Sequence, residues 1–128
     1  MARRVLVIED SDVIQRLIEV CLRPAGLEVE TASDGPTGLD QALAAPPDLI
    51  ILDVGLPKMD GWEVLARLRE NPATKTVRVL VLTAHAQEAN RERAGQVGAD
   101  AFLTKPFRPN ELRSVATELL ASAESLAG

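Results

Sequence analysis

Asp48-Leu49-Ile50-Ile51-Leu52-Asp53 is the stretch whose reading decides the fold. Four apolar residues stand between two carboxylates with no polar alternation. A run that is apolar on both of its faces reads as a strand covered on both sides within a parallel sheet. Val5-Leu6-Val7-Ile8 and Val79-Leu80-Val81-Leu82 repeat the pattern, and Ala101-Phe102-Leu103 is a weaker version of it. Leu27 to Ala32 alternates instead, with Leu27 and Val29 set against Glu28 and Glu30, as a strand nearer a sheet edge does.

Stripes with the helical period lie between these runs. Ile14, Leu17, Ile18, Cys21 and Leu22 form the first, and Leu39, Ala42 and Leu43 a shorter second closed by Pro46-Pro47. Gly61, Val64, Leu65 and Leu68 form the next. Residues 87–97 are polar and weakly amphipathic, and Leu112, Val115, Ala116, Leu119 and Leu120 make the clearest stripe. Strand followed by helix, five times over, predicts an α/β fold: a doubly wound, five-stranded parallel sheet with five helices on its two faces. No linker-like stretch divides residues 1–121, which read as one domain, and 122–128 read as a short C-terminal tail.

The 128 residues are enough for one core, and 46% apolar content is enough to fill it. A formal net charge of −5 offers no basic stripe for neutralising phosphates, which argues against direct nucleic-acid binding. The longest apolar runs are four or five residues, where a membrane helix needs about 20, and no secretory leader pattern opens the chain. Cys21 is the only cysteine, so no internal disulfide forms. Together these features predict a cytoplasmic protein with no membrane contact. Cys21 itself lies on an apolar stripe and reads as a buried, inert thiol.

The chemistry lies just past the end of each apolar run. Glu9 and Asp10 stand after the first, Asp53 after the third strand, Thr83 after the fourth, and Thr104 and Lys105 after the fifth. In a parallel sheet all carboxyl ends share one edge, where open α/β sheets bind their ligands. Two like charges 4 Å apart repel by about 4 kcal/mol at an effective dielectric near 20. Three clustered acids therefore call for a cation. Hard oxygen ligands without histidine or thiol favour Mg²⁺, with Mn²⁺ as a substitute. An ionised Asp can attack phosphorus, and a mobile lysine ammonium suits the transferred phosphoryl group better than a structural ion pair. Thr83 would donate a hydrogen bond to a phosphoryl oxygen, and the small Ala84 leaves room beside it.

With this set of residues the chain resembles the receiver domains of two-component response regulators. The matching pieces are Val5-Leu6-Val7-Ile8-Glu9-Asp10, Asp48 to Asp53, Leu56-Pro57-Lys58-Met59-Asp60-Gly61, Leu82-Thr83-Ala84 and Lys105-Pro106, within a likeness covering residues 5 to 120. The resemblance implies the flavodoxin-like strand order 2-1-3-4-5. It implies Asp53 as phosphoacceptor and a metal held by Asp10 directly, by Glu9 through water, by Asp53 and by the Gly55 carbonyl. It further implies Thr83 and Phe102 as a switch pair, Lys105 as the phosphate-contacting lysine and a cis bond before Pro106. Phe102 replaces the tyrosine common in the family, so the hydroxyl is missing.

The implied partners are a histidine kinase or a histidine phosphotransfer protein upstream and a protein target downstream. Gln15, Arg16, Glu19 and the Pro106-Phe107 loop are the expected donor-docking elements. A monomer or a weak phosphorylation-dependent dimer is expected, and no conventional enzyme beyond autocatalytic phosphotransfer and autodephosphorylation.

Other readings compete. Glu9-Asp10 alone could be a helix entrance, and Phe102 and Trp62 could be plain core. His85 is either a polar loop residue or a modulator of phosphate lifetime; Gly55, the other position facing the attacking water, has no side chain to contribute. Haloacid-dehalogenase phosphatases also use Asp, Thr and Lys, but their nucleophile opens a D-x-D motif after the first strand. Here the nucleophile comes after the third strand, and the residue two on is Gly55. A pseudo-receiver would lack a site residue, and none is missing. Met1 and the short tail favour a stand-alone, chemotaxis-type regulator. The alternative is a receiver fragment of a larger regulator with a DNA-binding or enzymatic output domain.

Overall fold

Valine, isoleucine and leucine in unbroken runs give strands that only a two-sided cover can bury, and the chain supplies that cover. A computed structural model describes residues 3–83 and 98–127, with side chains as far as residue 121. Its elements are β1 (Arg4–Ile8), α1 (Asp12–Leu22), β2 (Glu28–Ala32), α2 (Gly35–Ala44), β3 (Leu49–Asp53), α3 (Gly61–Glu70), β4 (Arg78–Thr83), β5 (Ala101–Thr104) and α4 (Pro109–Ala127). All strand pairs are parallel, in the order β2-β1-β3-β4-β5. The fold is the one the sequence predicts. Among the described residues there are four α-helices and one short 3₁₀ helix (Arg23–Ala25); the α-helix expected at 87–97 lies outside them.

Two cores flank the sheet. Val5, Val7, Leu49, Ile51, Leu80 and Leu82 pack with Ile18, Cys21 and Leu22 of α1 and Leu112 and Ala116 of α4. Leu6, Ile8, Ile50, Leu52, Val79 and Val81 face the other way, onto Ala42 of α2 and Trp62, Val64, Leu65 and Leu68 of α3. Alternate residues of each strand thus feed opposite layers, which explains the absence of polar alternation. β2 has exposed glutamates at 28 and 30, as its edge position requires. Cys21 is buried, and burial raises its thiol above the ordinary range.

Caps set the helix starts. Ser11, Asp34 and Asp60 each accept a main-chain N–H from the first turn of α1, α2 and α3 respectively. The last helix runs on to Ala127, so the backbone of the stretch read as a tail continues α4. Alanine, glutamate and leucine in that stretch favour helix, and no glycine or proline interrupts it before Gly128. No helix among the described residues is long and apolar enough to cross a membrane.

Arg69, near the end of α3, fastens the sheet edge opposite the acids. Its guanidinium donates to the carbonyls of Lys75 (3.0 Å), Val77 (2.6 Å) and Gly98 (2.8 and 3.0 Å) and to the Asp100 carboxylate (3.0 Å). Asp100 also accepts from Arg78 at 3.1 Å and from the Val79 N–H at 2.8 Å. A planar fork with five donors can satisfy this set, and a lysine cannot. Arg69→Ala is expected to lower the unfolding free energy by about 2–4 kcal/mol in urea titrations, with Arg69→Lys recovering less than half. A loss below about 1 kcal/mol would show that the carbonyls find other partners.

Candidate functional site

Glu9 leaves β1 with its N–H on the Ala32 carbonyl at 3.0 Å, and its side chain is 0% exposed. Asp10 comes next, exposed, just before the Ser11 cap. Asp53 closes β3 with 5% exposure, and its Oδ1 accepts the Gly55 N–H at 3.2 Å. Thr83 closes β4 and is buried; its carbonyl accepts the Lys105 N–H at 2.7 Å, which aligns the end of β5 beside it. The Lys105 ammonium then reaches back across the edge, 2.8 Å from Glu9 Oε1 and 3.1 Å from Asp53 Oδ1. One carboxylate oxygen from each of Glu9, Asp10 and Asp53 lies within 4.8 Å of the other two.

Tight packing beneath Asp53 holds this edge in place. A Cβ on Gly61 would stand 2.4 Å from the Asp53 carbonyl oxygen and 2.5 Å from Val54 Cα, so only glycine lets α3 begin this close to β3. The Asp60 carboxylate caps the Trp62 N–H at 2.8 Å, and Trp62 is buried in the core shared with α2 and α3.

The electrostatics are those of acids short of positive charge. Burial, reinforced by neighbouring Asp53, pushes the Glu9 carboxyl up to about 7 against the opposing pull of Lys105. Burial acts to lower the Lys105 ammonium, yet the hydrogen bond to Glu9 and the charge of Asp53 outweigh it and raise the group above its ordinary value. Among the described residues, Glu9 Oε2 is buried with no hydrogen-bond partner. A buried, unpaired oxygen beside two further carboxylates is a donor set that fits a hard divalent cation.

The structure therefore brings together Glu9, Asp10, Asp53, Gly55, Thr83 and Lys105. Lys105, expected to be held for a phosphoryl group, is engaged in ion pairs with both buried acids, because their charge has been withdrawn from water. Phe102 is partly buried against the α2/α3 core, and the Lys105–Pro106 bond is cis. Ala84 and His85 lie outside the described residues. Gln15, which the sequence assigns to a docking surface, turns its side-chain amide inward and donates to the Glu9 carbonyl and to Ser33 Oγ. Lys58, with φ 67° and an ion pair to Asp34 at 3.5 Å, is a further feature that the sequence does not signal. A lysine gives no sign of a left-handed backbone, which favours glycine and asparagine.

A carboxyl displaced upward binds its proton more tightly in the folded state. The stability contributed by Glu9 is thus complete below its ordinary 4.5 and is lost as pH rises through about 7. Metal-free protein is expected to lose on the order of 1–3 kcal/mol between pH 5 and 8 in urea unfolding, at about 1.4 kcal/mol per pKa unit. The loss should vanish in Glu9→Gln. An identical slope in that variant would remove Glu9 as the source.

The family model for the response regulator receiver domain matches residues 5–117. The alkaline phosphatase synthesis transcriptional regulatory protein PhoP of Bacillus subtilis is 39% identical over 124 residues, 97% of this chain and 51% of PhoP. The chain thus spans about half the length of that relative. The chemotaxis response regulator CheY4 of Vibrio cholerae superposes with a TM-score of 0.88 at 34% identity, covering 93% of this chain and 99% of CheY4. The Mn²⁺-bound form of the response regulator Rcp1 gives 0.83 at 27% identity, covering 92% and 94%.

Proposed function

The chain belongs to the response regulator receiver family of two-component signalling, and we propose that it accepts a phosphoryl group from a phosphohistidine donor onto Asp53. The observation that carries this reading is the placing of Asp53, buried at the sheet edge with a lysine ammonium 3.1 Å away and two more carboxylates in reach. Lys105 and the Gly55 N–H both engage Oδ1, so Oδ2 is assigned as the attacking oxygen. It bonds to phosphorus as the phosphorus–nitrogen bond breaks, and the leaving imidazole nitrogen takes up a proton. Lys105 then transfers from the carboxylates to one phosphoryl oxygen, and the Thr83 hydroxyl donates to another.

Mg²⁺, or Mn²⁺ as in the Rcp1 structure, would be held by the carboxylates of Glu9, Asp10 and Asp53 and the Gly55 carbonyl, and when bound it neutralises charge on the phosphoryl oxygens. We assign no independent metabolite to the domain, which acts as a switch and not as a conventional enzyme. Movement of Thr83 toward the phosphoryl group lets Phe102 follow, and the surface around β5 and α4 changes its affinity for a downstream protein. About 1.4 kcal/mol of differential interaction gives a tenfold population shift. The setting proposed is the cytoplasm. A DNA-binding or enzymatic output domain in a longer protein is the alternative to a single-domain regulator, as the half-length match to PhoP allows.

Donor docking is assigned to α1 and the Pro106-Phe107 loop. Val13 is 77% exposed, Val20 63% and Leu17 38%, an apolar stripe beside Arg16 and close to Asp10. Val13→Glu is expected to slow transfer from a phosphohistidine protein by about tenfold, which corresponds to ~1.4 kcal/mol. Labelling by acetyl phosphate should keep its rate. Equal slowing of both would place Val13 in the site and not in docking.

The assignment of Asp53 is tested by incubation with acetyl phosphate or beryllofluoride plus Mg²⁺, read by intact-mass spectrometry. Wild type should gain one adduct and Asp53→Asn none. An adduct retained in Asp53→Asn would overturn the assignment.

A further inference from the structure

The main chain of Glu9 is held from both sides. Its N–H donates to the Ala32 carbonyl, and its own carbonyl accepts the Gln15 side-chain amide. The same amide nitrogen reaches Ser33 Oγ at 3.2 Å, so its two hydrogens serve two different segments. Gln15 is half-buried in the first turns of α1, which places its amide between the end of β1 and the loop after β2. Asp10 lies between this anchored residue and Ser11, whose Oγ is fixed by the Ile14 N–H. The backbone position of Asp10 is thereby set by its two neighbours.

We propose that Gln15 is a positioning residue for the acid pair, a strut from Ser33 to the Glu9 carbonyl that sets where the Glu9 and Asp10 carboxylates stand for a divalent ion. The inference rests on the proposed metal site and extends it to a residue that touches no ligand. Outer partners of metal ligands commonly alter affinity by 10–100-fold. A main-chain anchor, acting one step further from the carboxylate, belongs at the lower end of that range. Gln15 can be tested without disturbing the core. Methionine matches its length and helix propensity and lacks both donors.

The experiment is calorimetric titration of the full chain with Mg²⁺ alone, for wild type, Gln15→Met, Ser33→Ala, the double variant and Asp10→Asn. Thermal midpoints are measured in metal-free buffer alongside. Gln15→Met should weaken Mg²⁺ binding about tenfold, and Ser33→Ala should weaken it by less. The double variant should be no weaker than Gln15→Met, since both changes break one strut. Midpoints should fall by no more than a few °C, about what the loss of one or two partly exposed hydrogen bonds gives in a domain of this size. Wild-type affinity in Gln15→Met would overturn the proposal, as would additive losses in the double variant. Loss of affinity in step with a falling midpoint would reduce Gln15 to a structural role. A wild type whose Mg²⁺ binding is absent or unaffected by Asp10→Asn would overturn the metal site, and this inference with it.

Discussion

Two carboxylates withdrawn from water and sharing one ammonium are the feature around which this sheet edge is organised. Glu9 and Asp53 are nearly inaccessible, yet they divide the Lys105 ammonium between them, and one Glu9 oxygen has no hydrogen-bond partner among the described residues. Buried charge tolerated in this way costs several kcal/mol per ion unless it is compensated. The arrangement is under-neutralised, and that makes it receptive to a further cation and to a transferable anion that Lys105 can accompany.

Parallel topology is what makes such a cluster possible. Residues 9, 53, 83 and 105 belong to four separate strand ends, and the register of β1 with β3, β3 with β4 and β4 with β5 aligns those ends side by side. Helix starts reinforce the alignment. Gly61 admits α3 against the Asp53 backbone, and the side chains of Ser11 and Asp60 cap the first turns of α1 and α3. At the opposite edge, Arg69 and Asp100 secure the entries to β4 and β5. The functional edge stays polar and short of positive charge, while the far edge is tied by the hydrogen bonds of Arg69 and Asp100.

Much of this was legible in the sequence because the strands carry a strong signal. Runs such as Leu49 to Leu52 cannot be buried by one layer, so the sheet, its two faces and the convergence of Glu9, Asp10, Asp53, Thr83 and Lys105 emerge from pattern alone. Strand order needed the family resemblance, since periodicity does not rank strands. The engagement of Lys105 by Glu9 was not legible, because it depends on how deeply each acid is buried. Gln15 escaped for a related reason: a polar residue on a helix exterior looks solvated unless the neighbouring loop is known. Arg69 gave no local sign either, since its carbonyl partners come from the 75–77 turn and from Gly98.

The most direct measurement of the charge shortfall is the unfolding free energy at pH 7.5 as a function of Mg²⁺ concentration. Binding to the folded state alone should raise stability as RT ln(1 + [Mg²⁺]/Kd), about 2.7 kcal/mol at a hundredfold excess over Kd. Asp10→Asn, which leaves the buried acids and Lys105 in place, should flatten that rise. Stability indifferent to Mg²⁺ in the wild-type chain would mean that Lys105 already satisfies the acids, and the idea of an edge in need of a second cation would fail.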